Sequence, residues 1–250
     1  MKNIISQIDG IIFLKKIDTA SVDLVLTDPP YQISRESGMQ DSLEKQSGLS
    51  KFRIRTKFGQ WDEEFDIDLL SEYLSEFKRV LRPGGTLICF YDLWKLSHLA
   101  QIAKDIGLSQ LRFIEWIKTN PVPVNSKTNY LTNSREVAIT CVKGSKPTFN
   151  SQYDNGTYHY PIYQGQRGER CHPTQKSLPL FRELVKKHSN PGDWVIDPFL
   201  GSGTSALAAL QEGRRFLGSE LSSEYFSSCR ERFDKFYPDL TVDFLEKEAE

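Results

Sequence analysis

The sequence has no apolar run approaching the roughly 20 residues that span a bilayer. Its opening segment, MKNIISQIDG, lacks the basic, apolar and cleavable regions of a secretory signal. Cysteine is sparse: Cys89, Cys141, Cys171 and Cys229 are scattered, with no CxxC pair and no metal-ligand spacing. That pattern excludes a disulfide framework, and it implies no metal and reduced packing thiols in a cytoplasmic protein. An excess of one charge is also missing, since 32 Lys and Arg oppose 33 Asp and Glu for a net −1. Bulk electrostatics therefore do not announce a polyanion as partner. No internal repeat is present, and 250 residues suffice for one domain carrying insertions.

What is present is an alternation of strand and helix patterns. Val22 to Leu26 is a short apolar run ended by Asp28-Pro29-Pro30, as expected for a buried parallel strand that stops at a loop. Leu69, Leu70, Tyr73, Leu74, Phe77, Val80 and Leu81 recur at helical spacing within Phe65 to Leu81, and Arg82-Pro83-Gly84-Gly85 ends that helix. Strands follow at Thr86 to Phe90, Phe113 to Lys118, Glu136 to Val142, Trp194 to Ile196 and Phe216 to Ser219. Helices are expected at Trp94 to Asp105, Ser177 to His188, Thr204 to Glu212 and Ser223 to Phe236, before an acidic tail. Two stretches, Gln32 to Gln60 and 143 to 172, are polar and without sustained period, the character of functional loops. The alternation predicts an α/β Rossmann-like fold, with helices on both faces of a mostly parallel sheet.

Three segments carry chemistry. Asp28-Pro29-Pro30-Tyr31 stands where a strand ends, and its two prolines remove backbone donors, leaving a carboxylate and carbonyls exposed as acceptors. Such acceptors suit an exocyclic base amine, whose lone pair becomes available when both N–H bonds are accepted. The adjacent tyrosine ring suits stacking on an extruded base. Asp197-Pro198-Phe199-Leu200-Gly201-Ser202-Gly203-Thr204 lies between a strand and a helix, where glycines permit a tight turn and close ligand approach. It lacks the lysine of a phosphate loop, and Ala206 stands at the last glycine of the dinucleotide pattern. An adenosine ligand without pyrophosphate fits better, with Glu220 placed to hold a ribose diol. The third segment is His172-Pro173-Thr174-Gln175-Lys176, in which Thr174 is also a competent helix N-cap.

In this order the three segments resemble the β-class DNA amino-methyltransferases, in which the catalytic DPPY motif precedes the cofactor motif DPFxGSGT and HPTQK lies upstream of the latter. SVDLVLTDPPY, NPVP at 120–123 and NPGDWVIDPFLGSGTSALAAL extend the likeness over nearly the whole chain. The resemblance implies a single methyltransferase domain over 1–250, of bacterial, archaeal or phage origin. It would transfer a methyl group from S-adenosylmethionine to a base amine, with S-adenosylhomocysteine as product. The leading Asp favours adenine N6 over cytosine N4, whose enzymes more often begin this motif with Ser. No cysteine follows a proline, which excludes the nucleophile of C5 cytosine methylation. RNA and protein amine methyltransferases carry the motifs in the opposite order. A non-catalytic DNA-binding module on the same fold is the alternative from another class.

By the same resemblance Asp28 and the Pro29 carbonyl would accept the amine's two N–H bonds, with Pro30 shaping the motif and Tyr31 stacking on the base. Phe199, Gly201, Ser202, Gly203 and Thr204 would form the cofactor loop with Asp197 at its start, and Glu220 would hold the ribose. Thr174 and Lys176 would contact the methionine carboxylate or support the loop, and Asp9 would face the adenine. Residues 32–60 are expected to form a catalytic and DNA loop whose run Lys51, Arg53, Arg55 and Lys57 grips phosphates. About 120–170 is the expected target-recognition region, offering Asn125, Lys127, Arg135, Arg167 and Arg170 to base edges. DNA is thus the implied partner, with room left for a cognate restriction endonuclease and for a homodimer.

Overall fold

The computed structural model describes residues 2–30, 67–121, 134–162, 169 and 175–246. Its elements are β1 (Ile4–Ser6), α1 (Gly10–Lys15), β2 (Val22–Thr27), α2 (Ile67–Val80), β3 (Leu81–Tyr91), α3 (Leu96–Asp105), β4 (Ser109–Lys118) and β5 (Arg135–Val142). They continue with β6 (Thr157–Tyr160), α4 (Leu178–His188), β7 (Trp194–Asp197), α5 (Thr204–Gln211), β8 (Arg215–Ser219), α6 (Ser223–Phe236) and β9 (Asp243–Leu245). The strands form one sheet in the order β6-β4-β5-β3-β2-β7-β8-β1-β9. Among the described residues every pairing is parallel except the two made by β5, which runs against β3 and β4. The α/β class and mostly parallel sheet expected from the alternation are present.

The two-residue period of the strands divides the core between the faces. Leu24 and Leu26 of β2, Ile88 and Phe90 of β3 and Val195 of β7 point toward α4, α5 and α6. Val25, Leu87, Cys89 and Ile196 point toward α1, α2 and α3. Central strands covered on both faces read as unbroken apolar runs, which is why β2 and β7 were legible. Among the described residues no helix is long and apolar enough to cross a membrane.

Several boundaries differ from the sequence expectation. The chain enters β3 at Leu81, ahead of the expected Thr86. A register shift between Val22 and Leu24 and the positive φ of Gly84 (+82°) absorb the Arg82–Gly85 turn within the strand. A 3₁₀ turn at Leu93–Lys95 precedes α3, so that helix starts two residues beyond Trp94. The stretch 143–172, read as irregular, contains β6, an edge strand parallel to β4. At four residues between Gly156 and Pro161 it is too short to show a period. The same brevity hid β1, β9 and the six-residue α1.

Candidate active site and cofactor loop

Neighbouring parallel strands end together, so the pairing of β2 with β7 brings the DPPY motif to the cofactor motif. The junction is tied by Asp197. Its Oδ1 accepts from Thr27 Oγ1 (2.7 Å) and from the Phe199 amide (3.0 Å), and its Oδ2 accepts from Ser205 Oγ (2.6 Å). Burial pushes the Asp197 carboxyl up to about 6 against these hydrogen bonds. Asp197 thus braces β2, the loop and α5 from inside the protein.

Asp28 follows at the tip of β2. Its Oδ2 accepts from Lys176 Nζ at 2.8 Å, while Oδ1 is closed to solvent and has no hydrogen-bond partner among the described residues. Lys176 also donates to Glu136 Oε2 (2.7 Å), and the other Glu136 oxygen lies 2.7 Å from Lys118 Nζ. An alternating row of charges therefore leads from Lys118 at the end of β4, through Glu136 on β5 and Lys176 just before α4, to Asp28. Burial holds the Asp28 carboxyl above the usual carboxylate range; Lys176 pulls it down and Glu136 adds to the rise. Burial also pushes Glu136 up, but Lys176 and Lys118 outweigh it and leave that carboxyl below its usual range. The resemblance gave Lys176 either contact with the methionine carboxylate or support of the loop; its ammonium stands between Asp28 and Glu136.

The loop after β7 carries Gly201 (φ +52°) and Gly203 (φ +77°), both in the left-handed region. A Cβ at Gly203 would lie 2.6 Å from Cys229 Sγ and 2.9 Å from the Phe233 ring, so glycine is required there on two grounds. Phe199 packs its ring on Tyr73 of α2, centroids 4.5 Å apart. Ser202 and Thr204 are buried with their hydroxyls 3.1 Å apart. Glu220, at the end of β8, accepts from the Gly201 amide (2.8 Å) and the Ser222 amide (2.8 Å), and burial holds its carboxyl above the usual range. Its own amide donates to the carbonyl of Ser6 (3.1 Å), three positions before Asp9. Asp9 caps α1, one oxygen accepting from the Ile11 and Ile12 amides at 2.9 and 3.0 Å.

This donor set fits S-adenosylmethionine. The Glu220 carboxylate, which also accepts from the Leu221 amide, suits a ribose diol, because its two oxygens retain acceptor capacity beyond these amides. The amides opening α5 have no side-chain cap and suit a carboxylate. Leu221, 59% exposed, offers an apolar surface next to Glu220. Of the expected DNA contacts, Arg135 is described: it is exposed at the start of the reversed strand β5, hence at the same end of the sheet as Asp28, 3.4 Å from Glu115. Tyr31, Lys51, Arg53, Arg55, Lys57, Asn125, Lys127, Arg167, Arg170 and Thr174 lie outside the described residues.

Sequence reasoning missed Lys118, Glu136, Glu169 and Arg232. None of them lies in a recognised motif, and only the folded chain shows Glu169 and Arg232 buried against each other and Lys118 and Glu136 half-buried in a row of charges.

Solved structures with this architecture are S-adenosylmethionine-dependent methyltransferases, the class to which the fold and cofactor use of this chain belong. The M1.HpyAVI–SAM complex superimposes with a TM-score of 0.67 at 26% identity, covering 92% of this chain and 98% of that one. PvuII DNA methyltransferase (cytosine-N4-specific) matches in fold alone, with a TM-score of 0.73 at 17% identity over 93% of this chain and 87% of that one. The N6/N4 DNA methylase family model matches residues 22–231, and the chain belongs to that family. Similar curated proteins are the type II methyltransferases M2.DpnII of Streptococcus pneumoniae and M.HinfI of Haemophilus influenzae. The first is 28% identical over 93% of this chain and 90% of its own length, the second 26% over 94% and 69%.

Proposed function

We propose that the chain methylates N6 of an adenine turned out of the DNA duplex, with Asp28 as the residue that receives the amine. The observation that carries this reading is the Oδ1 of Asp28, buried beside the cofactor loop and without a hydrogen-bond partner among the described residues. A buried acceptor without a donor costs free energy, about 1–3 kcal/mol, and a substrate N–H relieves it. The leading Asp of the motif supports adenine over cytosine.

The residues then divide the work. Lys176 holds Oδ2, so Oδ1 is left to accept one amine hydrogen while the Pro29 carbonyl accepts the other. Both bonds favour a pyramidal nitrogen whose lone pair points away from the ring. Tyr31 stacks on the base. Glu220 fixes the ribose, Asp9 faces the adenine, and Ser202, Gly203 and Thr204 hold the methionine end. S-adenosylmethionine supplies an electrophilic sulfonium methyl. Alignment of two bound reactants contributes about 7–11 kcal/mol, and Asp28 adds electrostatic stabilisation of the charge that grows on nitrogen. The methylated amine is strongly acidic and yields its proton to Asp28 or to water. Lys51, Arg53, Arg55 and Lys57 grip phosphates, and Asn125, Lys127, Arg135, Arg167 and Arg170 are the side chains offered to base edges.

Asp28→Ala is expected to abolish methyl transfer while calorimetric titration still shows S-adenosylmethionine binding. Transfer retained in that variant would refute the assignment.

A further inference from the structure

Behind the cofactor loop lies a buried ion pair that the reaction does not use. Arg232 of α6 and Glu169 are 2% and 3% exposed. The Arg232 Nη2 and Nε donate to Glu169 Oε1 at 2.9 and 3.2 Å, and the Tyr237 hydroxyl donates to the same oxygen at 2.7 Å. The remaining Nη1 turns to the loop, donating to the Ser202 carbonyl at 2.8 Å and reaching the Thr204 hydroxyl at 3.3 Å. The same helix supplies Cys229 and Phe233, the side chains that crowd Gly203.

Two buried charges are costly to desolvate, and an apolar pair of similar size would serve stability as well or better. An apolar pair cannot hold a carbonyl. Ser202 sits between two glycines in left-handed conformations, and its carbonyl is aimed by Arg232 while the Gly203 amide is held by the Leu200 carbonyl at 3.0 Å. We propose that Arg232, neutralised by Glu169, is a positioning residue for S-adenosylmethionine that fixes the Ser202–Thr204 turn in its binding shape. Its loss leaves the turn free to rotate, and cofactor affinity falls while transfer from the saturated complex continues.

The test is calorimetric titration of S-adenosylmethionine into the full chain and into Arg232→Met, Arg232→Lys and the double variant Arg232→Met/Glu169→Met. Arg232→Met should bind at least about tenfold more weakly, the scale of a lost charged hydrogen bond. The double variant, in which an apolar pair replaces the ion pair and spares the fold, should show the same weakening with a wild-type-like urea midpoint. Arg232→Lys should regain part of the affinity. In assays KM for the cofactor should rise in parallel while kcat stays within about threefold. A stable double variant that binds the cofactor like wild type would overturn the proposal, as would a fall in kcat at unchanged affinity. Absence of binding by the wild-type chain would overturn it together with the cofactor assignment.

Discussion

Asp28 is asked to be an anion in a place that resists anions. Burial raises its carboxyl, and the nearest relief is the Lys176 ammonium at 2.8 Å. The other charged and titratable groups acting on this cluster are Glu136 of β5, Lys118 of β4, Asp197 of β7 and Cys89 of β3. In the proposed mechanism transfer needs the ionised form, so activity should fall as pH drops through the Asp28 value. Removing Lys176 takes away a lowering influence and moves that value further up. Lys176→Met should therefore shift the acid limb of kcat/KM to higher pH, with near-wild-type cofactor affinity. An unmoved limb would show that Lys176 does not govern the charge of Asp28. None of this pairing was legible in the sequence. HPTQK marked Lys176 as functional by resemblance, but its two carboxylate partners sit in other segments. Glu136 follows Arg135 at the start of β5 and carries no motif.

At the scale of elements, the unit that matters is β7, its loop and α5. Legibility was highest here because the loop's chemistry is local: glycines at fixed spacing between a buried strand and an apolar helix specify a tight turn. Asp197 was legible as part of that motif, but its internal role was not, since Thr27 is 170 residues away. The three-residue strands and the four-residue β6 escaped because pairing with neighbours, and not any period of their own, makes them strands. Gly203→Ala tests the turn directly. The left-handed φ and the 2.6 Å approach to Cys229 together should cost about 2–4 kcal/mol in urea denaturation and should abolish cofactor binding. A variant that keeps wild-type stability would mean that α6 yields at that point.

For the whole molecule, the sheet order brings together what the chain keeps far apart. β2 lies beside β7, so Asp28 and the cofactor loop meet at one end of the strands. The reversed β5 delivers Glu136 and Arg135 to that same end. Alternation predicted a mostly parallel sheet; which strand reverses has no signature in residue pattern, because it follows from which neighbours the strand finds. A net charge of −1 leaves DNA affinity to local cations. Lys51, Arg53 and Arg55 changed together to Ala should weaken binding to every sequence, and should reduce the slope of log affinity against log salt by about 2 to 3. An unchanged slope would remove that run from the DNA contact.

The most direct test of the central claim is nucleoside mass spectrometry of DNA from a methylation-free host expressing this protein, beside the Asp28→Ala variant. The account predicts N6-methyladenine with the wild-type chain and its disappearance with the variant. N4-methylcytosine in its place, or N6-methyladenine that persists without Asp28, would contradict it.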